Sequence, residues 1–169
     1  SGIHANGLSL ARKLVERLPQ GYLTEVQPGL SYGAALLAPT LLYSPVTEAL
    51  HRAGVTPHYA SNITGHGWRK LLRHPKALRY RVHTLPPVPS VLRFIQQHAR
   101  QDDHEAYGTL NMGAGFALFI PAGQVEQTLR VARDQGMPAT LAGVVEEGPK
   151  ELLIEPLGLR FAGDELQLR

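Results

Sequence analysis

The chain has 169 residues, a net charge of +3 and 43% apolar residues, which is enough for one compact domain with its own core. It contains no cysteine, and this excludes a disulfide framework, a thiolate nucleophile and a cysteine metal site. The longest apolar stretch, residues 114–121, is far shorter than the roughly 20 residues that span a bilayer, so we expect a soluble, cytoplasmic protein.

The predicted elements follow the spacing of apolar residues and of glycine and proline. An apolar stripe at 3.6-residue spacing predicts a helix over residues 8–18, and a loop rich in glycine and proline then extends to Pro39. Ser44 is predicted to cap a second helix, which ends at Gly54. The remaining predicted elements are an extended segment over 55–62, a short basic helix over 68–73, a strand over 79–84, a helix over 91–100, a strand over 115–120, a helix over 123–135, a strand over 140–146 and a terminal hairpin of 151–155 with 158–162. This order predicts one domain over residues 1–169 of the α/β (α+β) class, with a layered mixed β-sheet covered by helices.

Basic residues are concentrated in the middle of the chain. Residues 49–101 contain nine Lys and Arg residues, six of the eight histidines and no Asp or Glu. A region of one charge sign attracts anions, which leaves a phosphorylated small molecule, a nucleic acid, an acidic patch on a partner domain, or simply a solvated basic face. The aromatic residues of this segment do not interleave regularly with the basic ones, and no signature of a nucleic-acid-binding module is present. A phosphorylated small molecule is therefore favoured over nucleic acid.

Three short clusters that contain glycine precede regular elements, at residues 2–10, 62–67 and 110–115. Helix N-termini expose unpaired N–H groups and glycine allows close approach of the backbone, so two such helix starts beside a basic run predict a phosphate site. Each cluster taken singly is more often a simple cap or turn. The Walker A, Rossmann and Gly-x-Ser-x-Gly motifs are missing and the histidine spacing fits no metal site, so we predict no metal and assign no catalytic residue.

Four motifs in chain order give a more specific indication. Residues 1–12 read SGIHANGLSLAR and are similar to S-G-x-H-S-N-G-x-S-L-x-R, and residues 37–43 read LAPTLLY and are similar to L-x-P-T-R-I-Y. Residues 62–67 read NITGHG, where the pattern is H-I/L-T-G-G-G, and residues 104–115 read HEAYGTLNMGAG, which follows E-M-Y-R-T-F-N-M-G-x-G. With these motifs the chain resembles, almost end to end, the C-terminal domain of the aminoimidazole ribonucleotide synthetase (phosphoribosylformylglycinamidine cyclo-ligase) family.

The resemblance implies a fold, a reaction and a set of binding residues. In that family a separate N-terminal domain dimerises and carries most of the site for ATP and Mg²⁺, and the cleft between the domains holds formylglycinamidine ribonucleotide. ATP phosphorylates the formyl oxygen of the substrate, and an amidine nitrogen then closes the imidazole ring with release of ADP and phosphate. The chain would thus be the substrate-side domain of a longer homodimeric protein, and we expect it to turn nothing over alone. The implied substrate-binding residues are His4, Asn6, Gly7, Ser9, Asn62, Thr64, Gly65, Gly67, Asn111 and Gly113.

Several positions depart from the family pattern. The arginine of P-T-R-I-Y is Leu41 here, the arginine of Y-R-T is Gly108, and the middle glycine of G-G-G is His66. The family's E-N-x-P-R is replaced by RKLLR at 69–73, so that an acid and an amide are lost. Because arginine offers a bidentate fork for phosphate or carboxylate, these changes keep a second hypothesis open, namely a diverged paralogue that acts as a non-catalytic anion-binding module or uses another substrate.

Overall fold

The computed structural model describes residues 1–165, except for the side chains of Asn6 and Glu165. The helices are α1 (Leu8–Val15), α2 (Tyr32–Leu36), α3 (Ser44–Arg52), α4 (Ser90–His98), α5 (Asp103–Thr109) and α6 (Val125–Asp134). The strands are β1 (Glu25–Gln27), β2 (Leu30–Ser31), β3 (Tyr59–Asn62), β4 (Leu78–Val82), β5 (Phe116–Phe119), β6 (Gly143–Glu147), β7 (Glu151–Ile154) and β8 (Leu159–Ala162). A seven-residue 3-10 helix, Gly67–Arg73, lies between β3 and β4, and we call it the basic 3-10 helix. No helix within residues 1–165 is long and apolar enough to cross a membrane.

The largest sheet contains four strands in the order β6-β4-β7-β8. Strand β4 pairs antiparallel with β6 and parallel with β7, while β7 and β8 form the terminal hairpin predicted from the sequence. Tyr80, Leu152 and Phe161 lie side by side across β4, β7 and β8 and are all buried. They belong to the main hydrophobic core together with apolar residues of α1, α4 and α5. The mixed sheet and its covering helices confirm the predicted fold class.

A smaller sheet brings two of the glycine clusters together. Strands β3 and β5 pair antiparallel, with Asn62 opposite Phe116, and the backbone N–H of Ile63 donates to the Gly115 carbonyl at 2.9 Å. Cluster 62–67 begins at the last residue of β3, whereas cluster 110–115 leads into β5. Antiparallel pairing places the end of one strand beside the start of the other, so the two clusters become neighbours.

The predicted loop that extends to Pro39 is wrong, because this region contains β1, β2 and α2. Ser31 caps α2 by accepting a hydrogen bond from the Ala34 N–H at 3.3 Å. Tyr32 is fully buried and donates its hydroxyl to the Ala11 carbonyl at 3.1 Å. The high content of glycine and proline led to the prediction of a loop, although the region contains a short hairpin and a helix that is held by this tertiary contact.

Two further details of the helices differ from the prediction. Helix α5 was not predicted, although Asp102 and Glu105 form a capping box at its start. The Asp102 carboxylate accepts from the Glu105 N–H at 2.7 Å, and the Glu105 carboxylate accepts from the Asp102 N–H at 3.2 Å. The spacing D-x-x-E before an apolar pair was the signal in the sequence. Ser44 is the first residue of α3 rather than its cap, and Tyr43 precedes it with no side-chain capping bond in the described structure.

Candidate functional site

The buried residue Asn111 joins three segments of the chain. Its side-chain amide nitrogen donates to the Gly2 carbonyl at 2.8 Å, and its side-chain oxygen accepts from the Gly113 N–H at 2.9 Å. The indole N–H of Trp68 donates to the Asn111 main-chain carbonyl at 2.8 Å. The start of the chain, the turn before β5 and the basic 3-10 helix therefore meet at one residue.

A small cavity opens where these segments meet. Its volume is about 10 Å³, which is room for roughly one water molecule. The lining residues are Ile3, His4, Gly7, Thr64, Leu92, Thr109, Leu110 and Asn111. Four of them, His4, Gly7, Thr64 and Asn111, belong to the predicted substrate-binding set and come from three separate motifs. The cavity is much smaller than a nucleotide, so a ligand of that size would contact it from its mouth.

His4 is held by a chain of hydroxyl groups. Its Nε2 lies 2.7 Å from the hydroxyl of Ser1, which in turn accepts a hydrogen bond from the Tyr43 hydroxyl at 3.1 Å. The His4 side chain is buried, and burial lowers the pKa of its imidazole, because desolvation disfavours the charged ring. His4 is therefore neutral near pH 7 and can accept or donate one hydrogen bond at each ring nitrogen.

Sequence reasoning did not assign Ser1, Tyr43 or Gly115 to the site. A Cβ atom at Gly115 would lie 2.7 Å from His4 Cε1 and 2.8 Å from Ser1 Oγ and would collide with the Tyr43 hydroxyl. Only glycine leaves room for this cluster. The signals were present in the quoted motifs, as the first residue of S-G-x-H, the tyrosine of P-T-x-x-Y and the last glycine of M-G-x-G.

The turn at 62–67 approaches the cavity through Thr64. The Thr64 hydroxyl contacts Nζ of Lys70, and the N–H of Gly67 donates to the Thr64 carbonyl at 2.9 Å. His66 and Gly67 have φ angles of 71° and 52°. His66 stands where the family has glycine, and it adopts the left-handed conformation that histidine tolerates better than most residues. At this turn His66 therefore adopts a backbone conformation that is more usual for glycine.

The other predicted site residues are not brought to the cavity wall. Ser9 is exposed on α1, and Asn62 is exposed at the end of β3. Gly113 is buried with a φ angle of 99°, and a Cβ atom there would lie 3.2 Å from Cδ of Pro89, so its role is to pack the turn. Gly65 is half-buried between Thr64 and His66. The side chain of Asn6, which was also predicted, lies outside the part of the structure that is described.

The two arginines of the basic segment that lie on β4 are paired with glutamates from later in the chain. Glu151 is buried and bridges Arg79 at 2.6 Å and Arg160 at 2.7 Å, so these two arginines lower the pKa of its carboxyl. Arg81 pairs with Glu146 at 3.1 Å and with Glu155 at 2.6 Å on the same surface. On β4 the charge of the basic segment is therefore balanced within the described structure.

The basic 3-10 helix keeps its charge close to the cavity. Burial and then the neighbouring Arg73 lower the pKa of Lys70, and burial followed by three nearby cations lowers the pKa of His66. Trp68 anchors this helix against Tyr107 of α5, with ring centroids 5.5 Å apart. The site therefore combines a small cavity of mixed polar and apolar lining with a cluster of basic side chains on the helix that Trp68 anchors.

Arg69 contacts Gly108, the position at which the family pattern has arginine. Its Nε donates to the Gly108 carbonyl at 3.0 Å, and a Cβ atom at Gly108 would be 3.6 Å from that nitrogen. The Arg69 guanidinium therefore lies next to the Gly108 backbone.

Comparison with known proteins finds relatives that share one name. No family model matches the chain. It is 36% identical over 152 residues to the phosphoribosylformylglycinamidine cyclo-ligase of Methanococcus vannielii, which covers 87% of this chain and 42% of that protein. Proteins of the same name from Methanocaldococcus jannaschii and Gloeothece citriformis are 33% and 32% identical, over 86% and 90% of this chain and 42% and 46% of their own lengths. The chain spans less than half the length of these curated relatives.

Proposed function

The chain belongs to the aminoimidazole ribonucleotide synthetase superfamily, and on this premise we propose that it is the C-terminal, substrate-side domain of a phosphoribosylformylglycinamidine cyclo-ligase of purine biosynthesis. The observation that carries the proposal is the convergence of His4, Thr64 and Asn111, from three separate motifs, on one cavity. The imidazole of His4 and the hydroxyl of Thr64 suit hydrogen bonding to an uncharged polar part of a ligand that also carries a phosphate.

Each of these residues has a distinct part in the proposal. His4 offers a neutral imidazole, which can hydrogen-bond to the ribonucleotide without adding charge. The Thr64 hydroxyl is fixed by Lys70 and can donate its own proton to a ligand oxygen. Both polar atoms of the Asn111 side chain are bonded to the backbone of Gly2 and Gly113, so we assign it to positioning of the site rather than to the substrate.

The groups for ATP and Mg²⁺ do not fit this chain by itself. Within residues 1–165 there is no group of three or more histidine or acidic side chains that could hold a metal ion, and the cavity is far too small for a nucleotide. The proposal therefore assigns ATP and Mg²⁺ to an N-terminal domain outside this chain, which would also form the homodimer. It places the protein in the cytoplasm, where its substrate would be made.

The test is ADP release by the full-length protein, with ATP, Mg²⁺ and formylglycinamidine ribonucleotide. We expect release that depends on the ribonucleotide and stops when it is omitted. The 169-residue chain alone serves as the control and should release no ADP. If a folded full-length protein with an intact N-terminal domain shows no such turnover, the proposal is wrong, and a paralogue with another substrate or a binding role takes its place.

A further inference from the structure

Three basic side chains lie together beside Thr64, and two of them are cations at pH 7. They are His66, Lys70 and Arg73, at the start and along the basic 3-10 helix, and they lie near enough to lower the pKa values of His66 and Lys70. Among the residues that the structure describes, no carboxylate lies within ion-pair distance of Lys70 or Arg73. This differs from β4, whose arginines are all paired with carboxylates.

Mutual repulsion between these groups would be relieved by an anion. We propose that His66, Lys70 and Arg73, with the Thr64 hydroxyl, form a binding site for the phosphate group of a small phosphate monoester. Such a group carries a charge of about −1.5 to −2 at pH 7, which matches two permanent cations and leaves the histidine as a further donor. The proposal rests on the proposed function only in taking this phosphate to belong to the substrate.

The contact between Lys70 and Thr64 gives the site its geometry. Because the Thr64 hydroxyl oxygen accepts from the Lys70 ammonium, its own proton is available for an oxygen of the ligand. Thr64 also lines the cavity with His4. A phosphate bound by Lys70 and Arg73 would therefore hold the rest of its molecule over the cavity mouth.

The size of the cluster favours a small molecule over nucleic acid. A groove that follows a nucleic acid backbone needs a continuous basic stripe. Beyond the basic 3-10 helix the charge is interrupted, because Arg79 and Arg81 on β4 are bound to glutamates. One short cluster of two cations and a histidine suits a single phosphate group.

The experiment is a titration of the isotopically labelled 169-residue chain with ribose 5-phosphate, followed by NMR at constant ionic strength because exposed charges are screened by salt. We expect saturable shifts of the amide signals of residues 64–73 and none with ribose. Lys70→Met and Arg73→Gln should each raise the apparent Kd for ribose 5-phosphate by about tenfold or more, as expected for the loss of a bond to a charged group. Arg52→Gln, an exposed cation of the same basic segment on α3, is the matched control and should bind like the wild type.

Several results would overturn the assignment. These are equal Kd values for Arg73→Gln and Arg52→Gln, shifts that map outside residues 64–73, or tighter binding of ATP than of ribose 5-phosphate. Arg73 is exposed, so its variant remains informative even if Lys70→Met does not fold. No ATP turnover is needed, so binding of ribose 5-phosphate without ring closure by the full-length protein would retain this site and reject the cyclo-ligase proposal. Ring closure by the full-length protein, together with unchanged binding of ribose 5-phosphate by Lys70→Met and Arg73→Gln, would support the cyclo-ligase proposal and reject this site.

Discussion

Replacing Asn111 with alanine removes the residue that joins the start of the chain to the turn before β5. The variant loses the bond to the Gly2 carbonyl and the bond from the buried Gly113 N–H. A hydrogen bond contributes about 0.5–1.5 kcal/mol net, and a buried donor left without a partner costs about 1–3 kcal/mol. Together these give an expected loss of about 3 kcal/mol in the free energy of unfolding, which is a large part of the roughly 5–15 kcal/mol of a typical domain.

The assay is urea unfolding followed by circular dichroism, with Tm measured in parallel. For a domain of this size the loss corresponds to a decrease of about 6–12 °C in Tm. Asn62→Ala makes the same chemical change at an exposed position and should stay within about 0.5 kcal/mol of the wild type. If Asn111→Ala costs less than about 1 kcal/mol, water from the adjoining cavity is replacing the lost bonds, and the structural role given to Asn111 is refuted.

Two further variants test the turn at the site and the buried ion pair. Gly67→Ala would combine a φ angle of 52° with a Cβ atom only 2.8 Å from the Leu110 carbonyl oxygen, so we expect a loss of about 3 kcal/mol or more, measured by urea unfolding. Gly136→Ala has a φ angle of 66° but open space around it and should cost only about 1 kcal/mol; equal losses would show that the close approach at Gly67 is not a constraint. Because its arginine partners lower the pKa of Glu151, that carboxylate stabilises the fold above its ordinary pKa of about 4, and the contribution is lost as the pH falls through the lowered value. Glu151→Gln should therefore be less stable than the wild type at pH 7, with a difference that shrinks toward pH 3; a difference independent of pH would contradict the ionic role.

The sequence predicted the elements whose signals are local. The apolar stripes of α1, α4 and α6 and the final hairpin are each contained within about a dozen residues, and all are present at nearly the predicted bounds. The motif comparison likewise predicted the family and named four residues of the cavity wall. The region of β1, β2 and α2 was missed because its order depends on the burial of Tyr32 and its bond to Ala11, which lies 21 positions away.

The distribution of charge shows the same division between local and tertiary information. The sequence alone determined that residues 49–101 are free of acids and that RKLLR follows the turn at 62–67. Only the tertiary structure decided which of these cations form ion pairs. The register of β4 with β7, for example, places Arg79 opposite Glu151, 72 positions away. Strand pairing over such distances is set by the packing of the whole sheet, and no local pattern encodes it. The same long-range packing gathers His4, Thr64 and Asn111 into one site.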